Sequence, residues 1–263
     1  MKNNKEISNE ITVIIPVYNG NNVLFNNAIT SLKEQYYKPK EVLIIVGKGT
    51  KDHALVKSQN YDGINTRILA HDKSTSFASQ MNIGVDGCNT KWFSFLEEDD
   101  EMGKIWLKNA NKYINVYKEY NIFLPIIVDV DNSSSLIGLS NQAVWAHTFS
   151  EKMGVLDKDS LLNNPIFNFD GIVMKKEIYE EFGKIKENIE LHFMYEFLLR
   201  MSYNSNNIMV IPKLGYKHMN LRKGGLLSNY IDKLTPDESN WWLNLARKEY
   251  FHTNDREINY SGK

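Results

Sequence analysis

Short apolar runs that alternate with segments of helical period limit what this chain can fold into more than any other feature. ITVIIPV (Ile11–Val17) is a β-branched run that stops at Asn19-Gly20, and VLIIV (Val42–Val46) is a second, ahead of GKGTKD. Each is too short for a helix and apolar on both faces, which is the pattern of a strand covered on both sides. Between them Leu24, Ala28 and Leu32 recur at helical spacing. The pattern then predicts a strand over Thr66–Ala70, a helix over Ser76–Val85 and a strand over Lys91–Leu96. A helix over Lys104–Lys118 follows, with Trp106, Ala110, Tyr113 and Tyr117 on one face, and then a strand over Ile122–Val128. Such alternation predicts an α/β fold: a mixed, mostly parallel central sheet flanked by helices, binding its ligand beyond the carboxyl ends of the strands.

The second half is less regular. Asp131–Ser135 reads as a polar loop, and Leu191, Tyr195, Leu198 and Leu199 share a helical face. Ile208–Pro212 reads as a strand, and KHMNLRKGG as a basic loop. Thr235-Pro236-Asp237-Glu238 combines a capping hydroxyl, a first-turn proline and an acid three residues on, so a helix starts there. Trp241, Trp242, Tyr250 and Phe251 follow; stacking on sugars or bases and core packing both fit, and helical spacing favours the core. The expected organisation is one domain over 1–225, with halves 1–103 and 104–225, and a helical extension over 226–263.

With 42% hydrophobic and 24% charged residues the chain should bury a sizeable core. Its 31 basic and 32 acidic side chains nearly cancel, which removes any global field toward nucleic acid or anionic lipid. The lone Cys88 excludes an intrachain disulfide framework. The first residues lack a signal-peptide core and no apolar run approaches a transmembrane length, so the expected compartment is the cytoplasm.

The chemistry should lie in FSFLEEDDEM (Phe93–Met102), where a predicted strand empties into five acids, Glu97–Glu101. Two readings fit. Glu101 could favour the macrodipole of the following helix; alternatively the carboxylates hold a divalent cation through hard oxygen ligands, as Mg²⁺ or Mn²⁺ sites on substrate phosphates require. Their position at a ligand-binding sheet edge favours the second.

Four pieces in this order, ITVIIPVYNG, VLIIVGKGTKD, Asn82-Ile83-Gly84 and FLEEDDE, resemble the amino-terminal half of family 2 glycosyltransferases of the GT-A fold. Phe169–Gly183 and YEFLLRM (Tyr195–Met201) resemble that family's acceptor-side region more loosely. The resemblance implies a Rossmann-like sheet and a metal-dependent transfer of a sugar from a nucleotide-diphosphate donor to a hydroxyl acceptor. It implies Asp99 as a ligand of Mn²⁺ or Mg²⁺, Glu97 or Glu98 on ribose or sugar hydroxyls, and Pro16, Val17, Tyr18 and Asn19 against the nucleobase. Asn82 and Asp52 would complete the donor side, although Asp52 could equally cap the next helix. His218 would join the metal, and Arg222 and Lys223 the diphosphate, where a guanidinium fork suits phosphate.

Two departures from the family pattern stand out. Gly47 and Lys48 replace an acidic pair that contacts uracil, and Phe193 and Met194 stand where inverting members carry the general-base acid. His192 and Glu196, four apart, are the preferred replacement bases, ahead of Glu190 and Asp170. Glycan or protein acceptors are expected ahead of a hydroxymethylated DNA base. That last acceptor enters through a resemblance of EEDDE and YEFLLR to viral glycosyltransferases. The alternative function is a catalytically silent sugar-nucleotide or glycan-binding module. A nucleotidyltransferase is disfavoured because Val17-Tyr18-Asn19-Gly20 is no Gly-rich phosphate loop.

Overall fold

The computed structural model describes residues 8, 10–72, 76–142, 154–204, 208–220, 222 and 234–257. The first half follows the predicted alternation: β1 (Ile11–Val17), α1 (Asn22–Lys33), β2 (Glu41–Gly47), α2 (Lys51–Lys57), β3 (Thr66–His71), α3 (Phe77–Gly87) and β4 (Trp92–Phe95). Next come β5 (Glu101–Met102), α4 (Trp106–Val116), β6 (Ile122–Val130), β7 (Leu136–Ser140), β8 (Val155–Leu156) and α5 (Lys158–Asn163). The chain continues through β9 (Val173–Lys175), α6 (Lys176–Glu181), α7 (Phe193–Tyr203), β10 (Ile208–Met219) and α8 (Pro236–Glu249).

These strands form one sheet in the order β3-β2-β1-β4-β9-β6-β10-β5, with β7 added to β6 and β8 to β10. β1 runs parallel to β2 and β4, β2 to β3, and β6 to β10. β9 is antiparallel to both of its neighbours, β4 and β6. β1, β2, β3, β4, β6 and β10 therefore share one direction, and their carboxyl ends open on one edge.

Alternate strand residues serve opposite faces. Ile14, Leu43 and Ile45 pack with Ala78, Met81 and Val85 of α3 in one buried cluster. Val13, Ile15, Val42 and Ile44 pack with Phe25, Ala28 and Leu32 of α1 in the other. Gly84 of the Asn82-Ile83-Gly84 triplet is where α3 presses on the sheet, since a Cβ there would meet Ile14 Cγ2 at 2.3 Å. At the far end Thr235 caps α8 by accepting from the Glu238 N–H, as the sequence predicts. Ala246 and Tyr250 join the cluster that buries Leu198 and Leu199, so the core packing favoured for the late aromatics holds for Tyr250 and the buried Trp242. Phe251 is half exposed and packs on Tyr203.

Four local expectations change. Glu101 does not start a helix: it lies in β5, opposite Lys217 of β10, and accepts from its Nζ at 2.8 Å, while α4 begins only at Trp106. Pro212 does not end a strand, because β10 absorbs it in a register shift between Val210 and Leu214 where a missing N–H is tolerated. α7 begins at Phe193, so Leu191 precedes the helix. Asp52 is not a cap; Thr50 caps α2 and Asp52 occupies its first turn.

Candidate active site

Topology gathers the acids. β4 delivers Glu97–Asp100 at its carboxyl end, β1 delivers Tyr18 and Asn19 beside it, and β10 brings His218 and Arg222 to the same edge. Because β9 is antiparallel, the residues before it, Asp170 and Gly171, also arrive there. Gly171 has φ +67°, and a Cβ would meet Tyr216 Cδ2 at 2.7 Å, so only glycine turns the chain this tightly behind Asp170. The turn is held by Trp106, whose Nε1 donates to the Gly171 carbonyl at 2.8 Å.

Glu97, Asp99 and Asp100 each present a carboxylate oxygen within 4.8 Å of the others. Three hard oxygens at that spacing suit Mg²⁺ or Mn²⁺ in ligand chemistry. The Glu97 N–H donates to the Tyr216 hydroxyl at 3.0 Å, fixing the turn out of β4. Asp100 is buried, its Oδ1 accepting from the Met219 N–H at 2.7 Å and its Oδ2 lying 3.1 Å from His218 Nδ1. His218 also lies 3.9 Å from Asp170 Oδ2. Burial alone would lower its pKa, but the Asp100 hydrogen bond and charge, aided by Asp170 and Glu97, prevail and raise it to about 11. His218 thus stands against Asp100, at the rim of the three-carboxylate set rather than within it.

The acids crowd one another with visible effect. Burial, then Asp170, Asp100 and Asp99, push Glu97 well above the usual carboxylate range. Burial also raises Asp170 to about 6 against the opposing charge of His218. Asp99 is raised by burial and by Asp100 while Arg222 pulls it down.

Glu98, expected on ribose or sugar hydroxyls, is engaged by the loop after β1. Its Oε2 accepts from the Tyr18 N–H at 3.0 Å and its Oε1 from the Asn19 N–H at 3.1 Å, so it clamps the loop after β1. Burial and Asp99 raise it to about 7 against those bonds. Asp52 supports the same loop, accepting from the Gly20 N–H at 3.1 Å. Pro16 and Val17 are buried at the end of β1 and Tyr18 is exposed. Arg222 reaches Asp99 Oδ2 through Nε at 2.6 Å. Lys223 lies outside the described residues.

Several expected site residues are not brought here. Asn82 is a latch between α3 and the 179–187 segment: its Nδ2 donates to the Ile185 carbonyl at 2.9 Å and to Glu187 at 3.0 Å, and its Oδ1 accepts from the Ile185 N–H at 3.1 Å. Glu196 is fully buried between Arg200, at 2.9 Å, and Lys186, at 3.1 Å, so no cleft faces it. Its expected partner His192 shares no helix face with it, because His192 precedes α7 in a left-handed conformation, φ 58°. Burial and then Arg247 hold the His192 imidazole below its ordinary value. Of the acceptor-side candidates Asp170, placed with Glu190 behind His192 and Glu196 by sequence, is the one that joins the acids. The unbroken acid run carries the sequence signal for Asp100, whereas nothing local in the sequence marks Tyr216. At the far edge Lys48 pairs with Asp72 at 3.0 Å, which puts a carboxylate from just after β3 beside the position where the acidic pair is missing.

Among the described residues no helix is long and apolar enough to cross a membrane.

Residues 12–183 match the sequence model of glycosyl transferase family 2. The amylovoran biosynthesis glycosyltransferase AmsB of Erwinia amylovora is 30% identical over 103 residues, which are 38% of this chain and 33% of AmsB. An uncharacterized glycosyltransferase of Haemophilus influenzae is 24% identical over 182 residues, 65% of this chain and 53% of that protein. The matches thus span a third to a half of these relatives. Among solved structures, S. aureus TarS 1-349 in complex with UDP-GlcNAc superposes with a TM-score of 0.69 at 18% identity, covering 91% of this chain and 66% of that one. That likeness gives the GT-A-like architecture, and the 172-residue family match, 12 to 183, covers well over half of the 263 residues. The chain belongs to glycosyl transferase family 2.

Proposed function

We propose that the protein transfers a sugar from a nucleotide-diphosphate donor, with a uridine nucleotide the first to test, to a hydroxyl acceptor. The observation that carries the reading is the set Glu97, Asp99 and Asp100 at the carboxyl end of β4, flanked by the loop after β1 and by Arg222. The TarS structure similar to this chain holds UDP-GlcNAc, which favours a uridine donor.

Glu97, Asp99 and Asp100 would hold Mg²⁺ or Mn²⁺, which when bound offsets the charge that a departing nucleoside diphosphate gains. The loop after β1, clamped by Glu98 and Asp52, offers Pro16–Asn19 as a wall for the nucleobase. Arg222 offers a guanidinium fork to the diphosphate, and Lys223 is read in the same role. For the proton of the acceptor hydroxyl, His192 and Asp170 are the bases to test, His192 as the candidate read from sequence and Asp170 as the one that lies with the acids, 3.9 Å from His218. The acceptor is read as a glycan or protein ahead of a modified nucleobase, because the chain carries no net basic charge.

A silent donor-binding module is the second reading, motivated by Phe193 and Met194 at the base position and by the burial of Glu196. Calorimetric titration of a nucleotide-sugar panel, with and without Mn²⁺, on the wild type and Asp99→Ala tests the donor site. Binding that needs both the metal and Asp99 is expected; no binding of any donor would sink the proposal. Slow donor hydrolysis by the wild type separates the enzyme from the module.

A further inference from the structure

We propose that Arg222 is a built-in counter-cation of the acidic set, which competes with the divalent ion for Asp99 and releases it when a nucleotide diphosphate takes the guanidinium. The inference rests on the metal-site reading above. Arg222 Nε lies 2.6 Å from Asp99 Oδ2, with both side chains largely covered, at 12% and 15% exposure. Asp99 also belongs to the carboxylate set suited to a divalent ion, so the ion and the guanidinium would crowd one carboxylate in a site shielded from solvent, where like charges are poorly screened.

The arrangement is also exchangeable. Arg222 Nε is buried without a hydrogen-bond partner, so its closeness to Asp99 is a charge contact rather than a directed bond. The remaining contacts are long: 3.4 Å from Nη1 and from Nη2 to the Asn19 carbonyl and 3.5 Å from Nη2 to Glu98. A guanidinium has five donors in a planar fork, and among the described residues none is used at optimal length. A diphosphate supplies the bidentate oxygens that this fork lacks. Moving Arg222 onto the diphosphate frees Asp99 for the ion, so nucleotide and metal should each tighten the other, as linkage requires.

The test is Mn²⁺ titration with free ion counted by electron paramagnetic resonance, with and without UDP, on the wild type, Arg222→Gln, Arg222→Lys and Asp99→Ala. Wild type should bind Mn²⁺ weakly alone and about tenfold more tightly with UDP, within the usual range of coupling. Arg222→Gln should bind Mn²⁺ alone about tenfold more tightly than wild type and lose most of the UDP effect, again on the scale of such coupling. Arg222→Lys, which keeps the charge but not the fork, should bind Mn²⁺ alone near the wild-type level and show a smaller UDP effect. Arg222→Gln binding Mn²⁺ no more tightly than wild type, or Arg222→Lys binding Mn²⁺ alone as tightly as Arg222→Gln, would overturn the competition while leaving the metal site standing. Mn²⁺ binding that is absent, or indifferent to Asp99→Ala, would overturn the metal site itself and this inference with it.

Discussion

Glu196→Gln separates a structural from a catalytic carboxylate on α7. Glu196 accepts from Arg200 Nε at 2.9 Å and Nη2 at 3.1 Å, and Lys186 Nζ lies 3.1 Å from the same Oε1. All three side chains are at most 1% exposed. Lys186 also donates to the Glu249 carbonyl at 2.6 Å, and Arg200 donates to the carbonyls of Phe182, Gly183 and Lys184 at 2.7, 2.6 and 2.9 Å. The network therefore ties α7 to the preceding turn and to the end of α8. Glutamine keeps the volume, so no cavity opens; it removes one negative charge and, among the described residues, leaves Arg200 with carbonyl partners alone and Lys186 with Glu249 at 3.8 Å, which also serves Arg256 at 2.8 Å. Breaking a buried pair in this way costs about 3–5 kcal/mol. At about 2–4 °C per kcal/mol for a chain of this size, the midpoint should fall by roughly 6–20 °C. Urea and thermal unfolding followed by circular dichroism would measure it, with donor turnover assayed well below the lowered midpoint. Adding Lys186→Met should recover part of the loss by removing one of the uncompensated cations. A variant as stable as wild type whose turnover collapses would refute this reasoning and restore Glu196 as a catalytic base.

Asn82→Ala should cost about 1–3 kcal/mol by unpairing buried backbone groups of Ile185, while nucleotide affinity measured by calorimetry stays within about twofold, a change smaller than 1 kcal/mol. Gly84→Ala should destabilise by about 1–3 kcal/mol through overpacking, read by urea unfolding. The added methyl lies 2.3 Å from Ile14 and 3.2 Å from Ile45, so an unchanged midpoint would mean that α3 can retreat from the sheet. The pKa of His192 is depressed from the ordinary 6.5 first by burial and then by Arg247, so the folded state binds fewer protons there than the unfolded one. Its stabilising contribution is present above pH 6.5 and fades as pH falls through the folded value; an NMR titration should give a midpoint below 6.5 that rises in Arg247→Gln.

Local signals suffice for the regular elements. β-branched runs such as Ile11–Val17 and Val42–Val46 report a strand because both faces must be apolar in a covered sheet. The Thr235 cap reports a helix start because its hydroxyl satisfies an N–H only a few residues away. The acids after β4 could be assigned to a sheet edge for the same reason: period and adjacency are enough. Short elements escaped. β5, β8 and β9 have two or three residues each, too few to display a period.

The sequence by itself thus determined the α/β alternation, the place of the acids at a strand end and the family pattern. Only the tertiary structure decided which residues meet those acids. His218 reaches Asp100 across 118 residues because β10 lies parallel to β6, and Asp170 arrives because β9 inserts antiparallel between β4 and β6. The same packing withdrew Glu196, whose neighbours four residues along and ten residues back close around it as a buried ion network. A local pattern records the surroundings each residue needs, but strand order and burial select which distant groups supply them.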